Sequence, residues 1–360
     1  MYHVRWGGQE VVADGVGSDA VLPGMRGLLR SVRTPEFAGM VFHEVEARSA
    51  LNKVPGGSMP FGWTVNPYRG CSHACAYCFA RNSHTYLELD AGEDFNRQVV
   101  VKVNVAGVLR RELRSSRWRR EHVAMGTNTD PYQRAEGRYR LMPGVIDALA
   151  RSGTPFSVLT KGTLLARDLP LLAAASSEVS VGLGVSVALT DRALQASLEP
   201  GTPTPAARLD LVRRISDAGL SCGVMVAPVL PLLTDSEQAL DALLAQVAAA
   251  GASGATVLAL HLRRGTREWF LSWLAREHPG LVAPYQRLYS RGAYVDRRYR
   301  EELGRRVAPL LRRHGLARSA APRGLPGDDE GTWPRGSLPE ARRSRSRDGE
   351  EVDGEQLSLL

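Results

Sequence analysis

From Phe61 onward the chain alternates short, continuously apolar runs with longer amphipathic ones. The apolar runs are FGWTVN, HVAMGT, FSVLTK, VGLGVSV, CGVMVAPV and TVLALHL. Unbroken apolar runs of strand length predict strands covered on both faces, as in a parallel sheet. Between them, VAGVLRRELRSS, LMPGVIDALARSG, RDLPLLAAAS, TPAARLDLVRRISDAG and SEQALDALLAQVAAAG read as helices. Ser236 predicts an N-cap, with Glu237 and Gln238 behind it, and Gly219 and Gly251 stand where helices should end. Six such units predict an α/β fold, a partial (β/α)6 TIM-like barrel that stays open instead of closing at eight strands.

The pattern also divides the chain. Residues 1–60 read as an N-terminal extension and 61–266 as the barrel. EWFLSWLAREHP and YREELGRRVAPLLRRHG predict C-terminal helices over 267–317 that pack on the barrel. Residues 318–360 are Pro, Gly, Ser and mixed charge without periodicity, which predicts a disordered tail, until the apolar QLSLL at the very end.

Composition narrows the class. The 360 residues, 43% of them hydrophobic, suffice for a large buried core. The sequence contains no apolar run of membrane-spanning length and no signal-peptide segment, so a cytoplasmic enzyme is expected. Four cysteines in so long an intracellular chain argue against a disulfide framework. The net charge of +8 is compatible with an anionic partner. Its weight is limited, because arginine-rich composition alone can produce it. Arginines crowd RRELRSSRWRR and RRYREELGRR, with Trp118 and Tyr299 between them; a solvated helix face explains both stretches as well as nucleic acid does.

The chemistry concentrates in NPYRGCSHACAYCFAR, which holds Cys71, Cys75 and Cys78, three of the four cysteines, spaced C-x3-C-x2-C. A structural zinc site closes with four ligands, and His73 and His84 are the nearest candidates to complete one. A three-thiolate loop suits a [4Fe–4S] cluster better, since one iron is then left open to a substrate. The barrel supplies an independent check, because active-site groups belong at the C-terminal ends of its strands. Thr127–Asp130, Lys161, Ser186, Pro228 and His261–Arg263 fall there, as does the cysteine loop. Lys161 stands out among three lysines in an arginine-rich chain, because a compact ammonium is not interchangeable with a planar guanidinium.

C-x3-C-x2-C with Tyr77 before the last cysteine, following the first strand of a β/α barrel, resembles the radical S-adenosylmethionine (SAM) superfamily. GTNTDPYQRAEGRYRLMPGVIDAL, VLTKGTLLARDLPLL and LEPGTPTPAARLDLVRRISDAGLSCGVMVAPVLP resemble the branch related to spore photoproduct lyase, a DNA repair enzyme, and within it an uncharacterised actinobacterial family. The resemblance runs from about residue 30 to 315. It implies a [4Fe–4S] cluster on Cys71, Cys75 and Cys78, chelation of SAM at the open iron, and reductive cleavage to a 5′-deoxyadenosyl radical. Lys161 is then expected to meet the methionyl carboxylate, with Tyr77, Asn128, Ser186 and Glu199 also facing the cofactor. Thr127 and Asp130 are candidates for the chemistry itself, although TDPY is also a good turn former. The lyase branch has a hydrogen-donating cysteine where this chain has GTNTD, so the lyase reaction is not carried over. Cys222 is the remaining thiol candidate, against a simple core role.

Expected partners are a flavodoxin- or ferredoxin-type reductant and DNA. The terminal Gln356, Leu357, Ser358, Leu359 and Leu360 resemble the pentapeptide that docks bacterial repair proteins on the DNA sliding clamp, with Leu360 in place of phenylalanine. A radical SAM enzyme acting on a small molecule or protein, and a non-catalytic zinc-stabilised protein, are the competing readings.

Overall fold

Each of the six apolar runs becomes a strand: β1 (Trp63–Val65), β2 (Val123–Met125), β3 (Phe156–Thr160), β4 (Val181–Ser186), β5 (Cys222–Val229) and β6 (Gly254–Ala259). The structure, a computed structural model, describes residues 10–11, 27–54, 59 and 61–317. The strands lie in chain order and are parallel throughout, with Leu51–Lys53 pairing antiparallel on the outer edge of β1. Register is fixed by pairs such as Val123↔Phe156, Val181↔Phe156 and Leu183↔Cys222. Among the described residues the sheet has two free ends, at β6 and at Leu51–Lys53, and the barrel is open as expected.

Helices α1 (Val105–Leu113), α2 (Met142–Arg151), α3 (Leu169–Glu178), α4 (Pro205–Asp217) and α5 (Glu237–Ala249) fill the connections. Their apolar stripes explain the packing. In α5, Leu240, Leu243, Leu244 and Val247 recur at three- and four-residue spacing and join one core with Val185, Val224 and Val226 of the sheet. Ser236 caps this helix by accepting from the Ala239 amide at 3.2 Å. Gly219 and Gly251 turn the chain after α4 and α5 in the left-handed region, at φ +73° and +83°.

The C-terminal helices α6 (Thr266–Glu277), α7 (Val282–Leu288) and α8 (Arg297–Arg313) follow; α6 and α8 fall on EWFLSWLAREHP and YREELGRRVAPLLRRHG, and α7 between them was not anticipated. Leu303, Val307 and Leu310 of α8 belong to the barrel core, where α8 packs on α5 and β6. Among the described residues, no helix is long and apolar enough to cross a membrane. The expected disordered tail and the Gln356–Leu360 motif lie outside the described residues.

A second sheet went unread in the sequence. Glu10–Val11, Leu28–Arg33, Val41–Val45, Gln98–Lys102 and Tyr68–Arg69 form it in that spatial order. Val41–Val45 runs parallel to Gln98–Lys102, with Phe42 opposite Val99, so the sheet crosses the boundary expected at residue 60. Tyr68–Arg69 leads directly into the cysteine loop and ties that loop to this sheet.

Candidate active site

The cysteine loop follows β1 and is fastened at nearly every residue. The Cys71 amide donates to the Phe95 carbonyl (2.9 Å), and the Ala76 amide to Leu198 (2.9 Å). Gln133 bridges the loop, accepting from the Ser72 amide and donating to the Gly70 carbonyl. Ala74 adopts φ +54°, the left-handed turn that brings the second and third thiols round. From the far side, Gly201 approaches so closely that a Cβ on it would lie 1.8 Å from the Ser72 carbonyl oxygen, while its amide donates to His73. The Thr266 hydroxyl at the start of α6 donates to the Cys78 carbonyl at 2.9 Å.

Cys71 and Cys75 are buried, Cys78 is half-buried, and all three face one cavity of about 730 Å³. Burial pushes the Cys71 thiol well above its ordinary range and Cys75 up to about 12. These thiols are therefore protonated until a cation draws the protons off. Each of the two nearby histidines has a partner of its own. His73 Nδ1 lies 3.3 Å from Asp130 Oδ2, and His84 Nε2 is hydrogen-bonded to the Gln98 carbonyl at 2.8 Å. Among the described residues, no three His, Cys, Asp or Glu side chains are grouped to hold a metal ion.

The strand ends supply the remaining walls. Gly126 turns the chain after β2 at φ +80°, where a Cβ would collide with the Leu159 carbonyl oxygen at 1.8 Å. Thr127 and Asn128 follow it and line the cavity. Asp130, although also at the cavity edge, is a structural knot. It accepts from the Tyr132 amide (2.8 Å), the Thr160 hydroxyl (2.6 Å) and the Lys161 amide (2.7 Å), and pairs with His73. Burial alone would raise this carboxyl, but His73 and those donors hold it down at about 2. The TDPY turn is therefore real, and Asp130 uses it to tie the cysteine loop to the ends of β2 and β3.

Lys161 projects into the cavity wall with Nζ 5.6 Å from the Tyr77 ring centroid. Burial would depress its ammonium, but the neighbouring Cys75 and Glu199 outweigh burial and raise its pKa. Glu199 is fully buried and lies behind the cavity wall. It accepts from the Tyr77 hydroxyl and from Arg208 Nη2 at 2.5 Å, with both members of that ion pair inaccessible to water. Burial would raise Glu199, yet Arg208 and Lys161 lower it, so it stays ionised. Its role in this geometry is to fix Tyr77 and Arg208, and Arg208 in turn donates to the Ser186 carbonyl at 3.0 Å. Ser186 lines the cavity at the end of β4. Cys222 sits at the opposite end of its strand, in the main core, with its thiol 3.5 Å from the Gly223 carbonyl and pushed up to about 12 by burial. It is not among the residues lining the cavity.

One wall of the cavity starts at Phe79, inside the cysteine motif, and continues onto elements far along the chain. Phe79, His261 and Tyr294 form a column of rings with centroids 5.8 and 6.0 Å apart. The Arg263 guanidinium lies 5.9 Å from the Phe79 ring and that of Arg300 5.8 Å from the Tyr294 ring. Both arginines line the cavity, and neither is among the ion pairs formed by the described residues. Burial, helped by Arg263, lowers His261 to about 4, so that ring is neutral at ordinary pH. In the sequence, Phe79 belongs to the cysteine motif and His261–Arg263 follow β6; Tyr294 comes from the segment between α7 and α8, where it bridges to His261, and Arg300 from α8 itself.

Comparison with known proteins fits this site. The sequence model of the radical SAM superfamily matches residues 65–244. An uncharacterised protein of Mycobacterium tuberculosis is 61% identical over 318 residues, 87% of this chain and 94% of its own. An uncharacterised protein of Acidianus two-tailed virus is 26% identical over 268 residues, 72% of this chain and 83% of its own. Among solved structures, a spore photoproduct lyase variant with bound AdoMet and dinucleoside spore photoproduct has a TM-score of 0.56 at 16% identity. That match covers 76% of this chain and 78% of the lyase, and it shows a common fold.

Proposed function

We propose that this chain, which belongs to the radical SAM superfamily and is an enzyme, holds a [4Fe–4S] cluster on Cys71, Cys75 and Cys78, binds SAM beside it, and acts on a nucleic-acid substrate. The donor set fits a cluster. Three thiols face one cavity, and each of the two nearby histidines has a hydrogen-bond or ion-pair partner other than a thiol. When bound, the cluster with SAM supplies one-electron cleavage of the sulfonium and hence a carbon radical able to take hydrogen from a substrate; a flavodoxin- or ferredoxin-type protein is the proposed electron source.

This chain's own residues would do the rest. Lys161, kept protonated by its acidic surroundings, offers its ammonium to the methionyl carboxylate. Tyr77, held from behind by Glu199, forms the floor beneath that contact. Thr127, Asn128 and Ser186 present small polar groups from the strand ends to the sugar and amino portions of SAM. The apolar surfaces of Met125, Leu159, Met225 and Val257 keep bulk water from the reacting centre.

The observation that carries the substrate assignment is the cavity wall of rings that begins at Phe79, next to Cys78. A column of rings with an arginine near each end, neither of them ion-paired to a carboxylate among the described residues, suits a planar base carrying phosphate: rings stack on bases, and guanidinium groups bind phosphate oxygens. The solved lyase that shares this fold is described with a dinucleoside lesion bound, which agrees with that reading. The test is anaerobic incubation of the iron-loaded, reduced enzyme with SAM and deuterium-labelled oligonucleotides. Release of 5′-deoxyadenosine carrying deuterium supports the proposal. Release of unlabelled 5′-deoxyadenosine, with no oligonucleotide affinity, would move the substrate to a small molecule or protein.

A further inference from the structure

We infer that Arg81 is a fixed buried positive charge that sets the reduction potential of the cluster, an inference that rests on the cluster assignment above. Arg81 is completely inaccessible to water, although it stands only three residues beyond Cys78. Every donor on its guanidinium is used. Nε and Nη2 donate to the Cys75 carbonyl at 3.1 and 2.9 Å, and Nη2 also reaches the Ala74 carbonyl at 3.2 Å. Nη1 donates to the carbonyls of Ala91 (3.2 Å) and Gly92 (2.9 Å), and Nη2 to Asn96 Oδ1 at 2.9 Å. The group lies over two rings, with the Trp269 centroid at 4.6 Å and that of Phe95 at 5.2 Å.

All of these partners are neutral. They satisfy hydrogen bonds without cancelling a charge, and an arginine does not escape burial by giving up its proton. The contrast with the neighbouring arginines is sharp. Arg208, equally buried, has Glu199 at 2.5 Å, and the largely covered Arg167 has Glu136 and Asp168, both at 2.7 Å. No carboxylate lies within ion-pair distance of Arg81 among the described residues. The charged groups that act on it are first Cys78, Cys75 and Cys71, ahead of Glu93. The compensating negative charge is therefore that of the three cysteine sulfurs once they carry iron.

A positive charge held in that place must favour the reduced cluster over the oxidised one. Reduction adds one electron to an already anionic assembly of iron, sulfide and thiolate. A permanent countercharge lowers the energy of the added electron, more so where water is excluded. Arg81 thus does two things: it pegs the Ala74 and Cys75 carbonyls in place, and it makes a low-potential centre easier to reduce.

The cleanest perturbation leaves Arg81 in place. Asn96→Asp is nearly isosteric, keeps the acceptor 2.9 Å from Nη2, and cancels the charge. Midpoint potentials would be measured by redox titration with electron paramagnetic resonance, on full-length protein of verified iron and sulfide content. The expected result for Asn96→Asp is at least a tenfold fall in the reduced-to-oxidised ratio at a fixed potential, which is a midpoint lower by about 59 mV. Arg81→Lys, which keeps the charge while losing most of the hydrogen bonds, should stay closer to wild type than Arg81→Gln. Wild-type protein with a cluster and an Asn96→Asp variant at the same potential would overturn the role of Arg81 alone. Equal shifts in Arg81→Lys and Arg81→Gln would reduce Arg81 to a structural peg. A wild-type chain that takes up no cluster would overturn the functional assignment as well.

Discussion

Glu199→Ala removes one member of a buried ion pair and, with it, the acceptor behind Tyr77. Both Glu199 and Arg208 are fully covered, and the contact between them is 2.5 Å. Deleting one partner of such a pair leaves the other charge buried and uncompensated, which costs about 3–5 kcal/mol. At about 2–4 °C per kcal/mol for a domain of this size, the midpoint of thermal unfolding should fall by about 6–20 °C. Glu199→Gln preserves an acceptor for Tyr77 and should lose less. The pH dependence has a definite sign. The folded carboxyl titrates below its ordinary value of 4.5, so its contribution is complete above that value and disappears as pH falls through the lowered one. The gap in midpoint between wild type and Glu199→Gln, followed by circular dichroism, should be full at pH 7 and shrink below about pH 4.5. A Glu199→Ala variant that melts within 2 °C of wild type at pH 7 would refute the reasoning, because a buried guanidinium cannot lose the carboxylate it is paired with so cheaply.

Other consequences can be checked separately. Lys161→Ala should weaken SAM binding by about 10–100-fold in calorimetry, the loss of one charge-assisted contact, with iron content unchanged. Lys161→Arg should fail to restore it, and unaltered affinity in either variant would remove Lys161 from the site. Cys222→Ala should leave reductive SAM cleavage and substrate turnover intact while lowering stability by about 1 kcal/mol; lost turnover with cleavage preserved would make its thiol a hydrogen donor after all. Leu244→Ala, at the centre of the barrel core, should cost about 2–5 kcal/mol in denaturant titration.

How much of this was legible in the sequence follows from how each element is encoded. The barrel strands are continuous apolar runs separated by amphipathic helices with capping residues, so period and punctuation agree, and β1 to β6 emerge where expected. The second sheet was hidden for the opposite reason. VFHEV of Val41–Val45 carries His43 and Glu44, whose side chains are buried only because Gln98, Ser31 and Arg30 bind them in the folded state. A short strand whose polar residues are satisfied by distant partners leaves no periodic signal. The site divides likewise. Cys71, Cys75 and Cys78 declare themselves by spacing, and Lys161 by its rarity in an arginine-rich chain. Glu199 and Asp130 were identified as site residues, but their roles depend on tertiary partners. One anchors Tyr77 and Arg208, and the other ties His73 to the turn before Lys161. Arg81 sits in plain view next to the motif, and its full burial without a carboxylate distinguishes it from the other arginines among the described residues.

The central claim is that three thiols hold a cluster with one iron left for SAM. Anaerobic reconstitution followed by iron and sulfide assay, then paramagnetic resonance of the reduced protein with and without SAM, tests it most directly. The account predicts about four irons and four sulfides per chain, and a spectrum that changes when SAM is added. A single tightly held zinc, or an iron–sulfur spectrum indifferent to SAM, would contradict it.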